Sequence, residues 1–227
     1  MPAEISVIIP TLNAARDLPA CLGALVEGLG AGLIRELIVT DGGSTDATLA
    51  IAESAGATIV TGAASRGGQL QRGAEAARGN WLLVLHADTV LAAGWAQVVQ
   101  THLDVGDGSA AWFHLAFRAS GMRARWVAGW ANLRSSMFGL PYGDQGLLMS
   151  RQMYQQAGGY PDQPLMEDVT LARALKGQLI GLPVIALTGA ERYQRQGWLR
   201  CGAQNLWILM RYFAGVNPEK LAMSYRR

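Results

Sequence analysis

The chain has 227 residues, with 19 Lys and Arg against 17 Asp and Glu and a formal net charge of +2. That near-balance argues against a partner recognised by bulk charge, nucleic acid above all. Half of the residues are hydrophobic, enough for a sizeable core in one domain rather than two equal ones.

The first hundred residues alternate between strand and helix patterns. The β-branched run 5–10 (ISVIIP) reads as a buried strand. Residues 14–29 carry Leu18, Cys21, Leu22, Leu25, Val26 and Leu29 at helical spacing. A second strand is expected over 36–40, and Thr45 or Asp46 can cap a helix running to Ser54. A third strand over 57–60, a helix over 68–78 and a fourth strand over 81–85 follow. This rhythm predicts a mostly parallel sheet covered by helices on both faces, with the strand C-termini along one edge.

After residue 100 the rhythm loosens. A turn is expected over 104–109, a strand over 110–117, a helix over 123–137 and a short strand over 146–149. A helix over 167–176, a strand over 182–187 and an apolar helix over 198–213 complete the reading. The chain is expected to be one domain spanning 1–227, with a nucleotide-type half over 1–100 and an acceptor half over 101–227. Cys21 and Cys201 are too few for a disulfide framework or a zinc site. There is no signal-peptide pattern and no run of ~18 apolar residues, so a cytoplasmic location is expected.

Three loops carry the polar residues of interest: Pro10-Thr11-Leu12-Asn13, the segment 41–46 (DGGSTD), and His86-Ala87-Asp88. In a parallel sheet they converge at the strand tips, where ligands bind. Asp41 either accepts a hydrogen bond from a base or ribose or forms a turn. Asp46 reads as a helix cap. Asp88 is either an Asx-turn residue or a ligand for a hard cation bridging two phosphates. His86 either adds a second metal contact or packs against the loop. Arg66 opens a helix and is placed to meet a base, ribose or phosphate. The pair Glu167-Asp168 supplies one capping acid and one general base. Tyr142, Asp144 and Gln145 are candidate acceptor contacts. Arg192, Tyr193, Arg195 and Trp198 form a basic-aromatic cluster whose arginines can offset the charge of a departing diphosphate. The helix over 198–213 either packs within the fold or against a second copy, or touches a membrane surface. GLGAG at 28–32 ends a helix rather than following a strand, so it is not a dinucleotide loop.

The ordered segments SVIIPTLNAARDLPACLGAL, ELIVTDGGSTDAT, GNWLLVLHADT and MEDVTLARAL resemble the signatures of family 2 glycosyltransferases, which have the GT-A fold. LHADT, together with the ERYQRQGWLR tail, resembles the small radical-SAM/selenodomain-associated subgroup. The resemblance implies an inverting transfer of a sugar from a nucleoside-diphosphate donor, often a UDP-sugar, to an unidentified acceptor, with Mg2+ or Mn2+. It implies nucleotide binding through Pro10, Thr11, Asn13, Asp41, Arg66 and Ala87. It makes Asp88 the final acid of the metal motif, and Asp168, beside Glu167, the base. His86 stands where the family has the first acid of that motif. It also implies work in carbohydrate metabolism; the membrane alternative for the helix over 198–213 would place the chain at the inner face of the plasma membrane. Two other readings share such a sheet: a sugar-phosphate nucleotidyltransferase, and a non-catalytic nucleotide- or glycan-binding module. Pro10-Thr11-Leu12-Asn13 lacks the Arg-containing glycine-rich loop of the first.

Overall fold

The structure, a computed structural model, describes residues 3–106 and 108–225. Its first half follows the expected alternation. Strand β1 (Ile5–Thr11) is flanked by β2 (Ile34–Asp41) and β4 (Trp81–Val84), and β3 (Thr58–Thr61) lies outside β2, all four parallel. Side-chain alternation along β1 feeds two cores. Val7 and Ile9 pack with Leu18, Leu25 and Trp95, which come from α1 (Leu18–Gly30) and α4 (Trp95–Val105). Ile8 packs with Leu70 and Ala74 of α3 (Arg66–Ala76) on the opposite face. Burying both faces is why β1 reads as an unbroken apolar run.

The second half joins the same sheet. Strands β5 (Val90–Leu91), β6 (Ala110–Phe117), β7 (Leu147–Ser150) and β8 (Leu179–Thr188) complete the order β3-β2-β1-β4-β7-β6-β8-β5. β7 runs antiparallel to β4 and β6, and β5 antiparallel to β8. The expectation that every strand C-terminus lies on one edge is therefore corrected for β5 and β7. Strand β5 pairs antiparallel with β8, and β7 returns antiparallel to β6 after an intervening helix, so the handedness rule for parallel connections governs neither.

Helix α1 begins at Leu18, not Ala14, because Asn13 takes φ 52° and residues 14–17 form a turn ahead of Pro19. The expected turn over 104–109 includes Asp107, which lies outside the described residues; α4 ends at Val105 and Gly106 takes φ 67°. Helix α5 (Met122–Phe138) and helix α9 (Trp198–Phe213) stand close to their expected bounds. Three short helices were not anticipated: α6 (Arg151–Gln156), α8 (Glu191–Gln196) and α10 (Pro218–Tyr225). With six to eight residues, each holds about two turns and shows little periodicity. Helix α2 (Thr48–Ser54) and helix α7 (Glu167–Ala174) complete the set. Both cysteines are free and buried.

Candidate active site

The C-terminal tips of β1, β2 and β4 meet in a mutually braced loop cluster. Asn13 Oδ1 accepts from the Thr45 backbone N–H (2.9 Å), while the Asn13 N–H donates to Ser44 Oγ (2.8 Å). Asp46 accepts from the backbone N–H groups of Thr48 and Ala15, so it ties two loops together, while Ala47 rather than Asp46 takes the N-cap position of the helix that follows. Asp41 accepts from Thr11 Oγ1, Ser44 Oγ and the N–H groups of Gly43 and Ser44. Burial pushes its carboxyl up, but these donors more than offset that and hold it below the usual range. All four accepting positions are occupied, and Asp41 lines neither lobe described below. These contacts match the turn-forming reading of Asp41. Gln69 was missed as part of this scaffold. Its Nε2 donates to the carbonyls of Thr11 (2.8 Å) and Thr40 (2.7 Å), pinning β1 to β2 beneath the loops. Its position one turn into α3 was the available signal.

Two cavities open at this edge and share Arg66, His86, Asp88, Leu165 and Tyr225. The first lobe, about 480 Å3, is lined by Pro10, Thr11, Asn13 and Ala87. The second, about 290 Å3, is lined by Tyr142, Asp144, Glu167, Asp168 and Arg192. Arg66 stands between them. Its Nε lies 3.6 Å from Glu167 Oε1 and its Nη2 lies 3.4 Å from His86 Nδ1. Arg66 opens α3, whose Ser65 cap also donates to Asp162. A Cβ at Gly67 would land on the Pro161 carbonyl oxygen, and one at Gly68 would meet Asp162 Oδ1 at 2.6 Å. These two glycines let α3 dock directly on the loop that leads into Glu167 and Asp168.

The acids divide by environment. Asp88 accepts a long contact from Thr188 Oγ1 (3.5 Å), and burial raises its pKa against the pull of Arg66 and of its own backbone N–H. Asp168 accepts from the Gly143 N–H (2.8 Å) through Oδ2 and from the Val169 N–H (2.7 Å) through Oδ1. Asp144 has a buried Oδ1 with no hydrogen-bond partner. Burial pushes it up to about 6, with Arg134 opposing and Asp168 and Asp88 adding to the rise. Glu167 is buried, and its Oε2 has no partner. Burial, and then Asp168, push it up to about 7 while Arg66 pulls it down.

That shift has a direction in pH. A carboxyl with a folded pKa above its unfolded value contributes stability that is complete below about 4.5 and is lost as pH rises through about 7. The contribution is at most about 3 kcal/mol. The stability difference between Glu167→Gln and the parent chain therefore shifts in the variant's favour between about pH 5 and about pH 8 in urea titrations. A difference that stays constant across that interval would show that Glu167 is an ordinary carboxylate.

Of four further expected site residues, His86 lines both lobes, whereas Gln145, Trp198 and Arg195 line neither. His86 is held by its neighbours. Burial, and then Arg66, hold it well below the ordinary histidine range, so the ring is neutral. Its Nδ1 faces the Arg66 guanidinium, and its Nε2 is wedged against Gly143. Gln145 is fully buried; it accepts from Ser135 Oγ (2.6 Å) and Arg134 and donates toward the Phe113 carbonyl. It shapes the loop and does not meet an acceptor. Trp198 stacks on Tyr193 (5.1 Å) and meets Phe117 edge-on, as packing. Arg195 is exposed and lines neither lobe. Arg192 does line the second lobe, held by Tyr225 and Gln204. Tyr193 and Asn205, hydrogen-bonded at 2.9 Å, line it as well. Tyr193 belongs to the expected basic-aromatic cluster, whereas Asn205 was missed because it lies within α9, where apolar spacing marks only the hydrophobic positions.

The profile of glycosyl transferase family 2 matches residues 6–155. The chain belongs to that family. The match covers most of the first lobe, Asp88 and the Tyr142 loop, and ends before Pro164, Glu167 and Asp168. A PGL/p-HBAD biosynthesis glycosyltransferase of Mycobacterium tuberculosis is 41% identical over 93 residues, 38% of this chain and 36% of that protein. The similarity thus spans little more than a third of that curated relative. Among solved structures, S. aureus TarS residues 1–349 superposes with a TM-score of 0.62 at 14% identity, covering 91% of this chain and 65% of that one. Glucosyl-3-phosphoglycerate synthase of Mycobacterium tuberculosis gives 0.57 at 22% identity, covering 82% and 70%. The mannosyltransferase PcManGT of Pyrobaculum calidifontis gives 0.62 at 18% identity, covering 82% and 57%. At such identities these likenesses establish the GT-A-type fold of this family 2 chain, an α/β unit with a mostly parallel sheet.

Proposed function

We propose that this family 2 chain is an inverting glycosyltransferase that moves a sugar from a nucleoside diphosphate to an acceptor hydroxyl. The observation that carries the reading is the two-lobed cleft joined at Arg66 and Asp88, with Asp168 across the junction. The base and ribose lie in the first lobe against Thr11 and Asn13, under the carbonyls and N–H groups of the braced loops. The diphosphate lies at the junction beside Arg66. The sugar projects into the second lobe, where Asp168 and Arg192 stand. The acceptor oxygen attacks the anomeric carbon while the bond to the diphosphate breaks, and Asp168 takes the acceptor's proton. Arg66 and Arg192 offset the charge of the leaving diphosphate. Glu167 is a positioning residue that holds Arg66.

UDP-sugars are the preferred donor class. S. aureus TarS has been solved with UDP-GlcNAc and the Mycobacterium tuberculosis synthase with UDP-glucose and Mn2+. The chain fits a divalent cation through Asp88 alone. Among the described residues no three His, Cys, Asp or Glu side chains form a metal group. One carboxylate suffices for Mg2+ or Mn2+ when phosphate oxygens and water complete the shell. Bound there, such an ion would supply further neutralisation of diphosphate charge. The likeness to the radical-SAM-associated subgroup adds no substrate to this reading.

A thermal-shift screen of nucleoside diphosphates and their sugar conjugates tests it. At 100 times its dissociation constant the donor stabilises the fold by about 2.7 kcal/mol, which raises Tm by roughly 5–10 °C for a chain of this size. Arg66→Ala reduces the shift. Uniformly unmoved melting curves across the nucleotide series would rule the donor site out.

A further inference from the structure

Helix α5 and helix α9 lie side by side, and each turns an apolar stripe outward. On α5 the stripe is Met122, Trp126, Trp130, Leu133 and Met137, with Met122 83% and Trp126 78% exposed. On α9 it is Leu199, Leu206, Trp207, Met210 and Phe213, with Trp207 58% exposed. The spacing is helical in both, so each stripe is one face, opposite the buried Ala124, Ala128 and Ala131 or Cys201, Ile208 and Leu209. Trp130 and Leu206 both line one narrow slot between the helices, which brings the two stripes together. An apolar surface of this extent marks an interaction site rather than ordinary exposure.

The charges on these helices have one sign. Neither α5 nor α9 contains an Asp or Glu, while Arg123, Arg125 and Arg200 are exposed and Arg211 is partly so. Exposed Trp side chains beside arginines match the boundary between acyl chains and anionic head groups. No helix among the described residues is long and apolar enough to cross a membrane. The slot leads inward: it shares Tyr142, Asp144, Tyr193 and Asn205 with the second lobe. The apolar face and the candidate transfer site are thus two ends of one passage.

We infer that the α5–α9 face docks peripherally on an anionic lipid bilayer, so that an acceptor reaches the second lobe from the lipid side through the slot between these helices. The docking rests on the exposed stripes and the arginines alone. Only the direction of acceptor entry rests on the glycosyltransfer reading. Trp126 and Trp207 sit at the head-group level, and Arg123, Arg125 and Arg200 meet lipid phosphates.

Vesicle flotation tests the docking without any transfer assay, so its outcome is separable from that of the donor screen. The intact chain floats with vesicles of equal parts phosphatidylglycerol and phosphatidylcholine at low salt, and is released by high salt. Vesicles of phosphatidylcholine alone retain far less of it. Arg123→Ala, Arg125→Ala and Arg200→Ala combined lower partitioning by on the order of a hundredfold, at roughly fivefold per basic residue. Trp126→Ser with Trp207→Ser also abolishes flotation. All five side chains are exposed, and an unchanged melting temperature confirms that the variants remain folded. In the parent chain, brominated lipid quenches tryptophan fluorescence, and the Trp126→Ser/Trp207→Ser variant loses most of that quenching. Failure to float on the mixed vesicles at low salt overturns the proposal. So does a concentration-dependent dimer that the tryptophan variants abolish, which would assign the face to a second copy of the chain.

Discussion

Asp168→Asn lowers transfer turnover by about 10²–10⁴-fold and leaves donor binding nearly unchanged. The expectation follows from what the side chain touches. Both of its oxygens are fixed by backbone donors, the Gly143 N–H at 2.8 Å and the Val169 N–H at 2.7 Å. Each oxygen keeps an accepting position, and the carboxylate lines the second lobe, where the neighbouring Glu167 is more deeply buried. Asparagine preserves the shape but not the basicity. It also presents an NH2 group to one of the two backbone donors, which costs about 1–3 kcal/mol locally. The kinetic signature separates the two effects: a base acts on kcat, and a disturbed loop acts on KM and Tm. An Asn variant that transfers sugar at the parent rate removes Asp168 from the mechanism.

Gly67→Ala produces the largest structural effect of any single methyl in the molecule. The added Cβ would overlap the Pro161 carbonyl oxygen and lie 2.8 Å and 2.9 Å from the backbone N and O of Gln163. No flexible side-chain end is available to move, and the Gly67 N–H also donates to the Gln163 carbonyl at 3.1 Å. Overpacking of this kind costs about 3 kcal/mol, or roughly 6–12 °C in Tm. The loop that must shift leads directly into Glu167 and Asp168, so activity falls beyond the loss of folded protein. Gly23→Ala is the matched control. It lies within α1 with nothing near its Cβ, and it stabilises by about 0.5–1 kcal/mol. Equal melting temperatures for the two variants would contradict the close docking of α3 on the 161–163 segment.

The legible part of this molecule was the part with strong periodicity. The buried strand in β1, the alternation through β4, and α5 and α9 all follow from apolar spacing. The converging loops follow from the parallel order, and Arg66, Asp88 and Asp168 do face a common cleft. What spacing does not reveal is which way a polar group is satisfied. Asp41 and Gln145 look like ligands in sequence because both are polar and near strand tips. In the fold, Asp41 is saturated by its own loop and Gln145 by Ser135, Arg134 and Phe113. His86 sits in the metal motif's first position, yet its neighbours Arg66 and Gly143 are 20 residues and a whole strand pairing away. Arg195 and Trp198 were grouped with Arg192 by proximity in sequence; Tyr225 and Gln204 hold Arg192 at the lobe, while Arg195 stays in solvent. The wall formed by Tyr193, Asn205 and Tyr225 depends on how α8, α9 and α10 fold back, which no local pattern records.

The most direct measurement is a structure of the chain with an intact nucleoside-diphosphate sugar bound. Nucleoside against Thr11 and Asn13, diphosphate between Arg66 and Asp88, and the anomeric carbon open to Asp168 is the predicted arrangement. A diphosphate bound away from Arg66 and Asp88, or a base occupying the lobe beside Asp168, would contradict it.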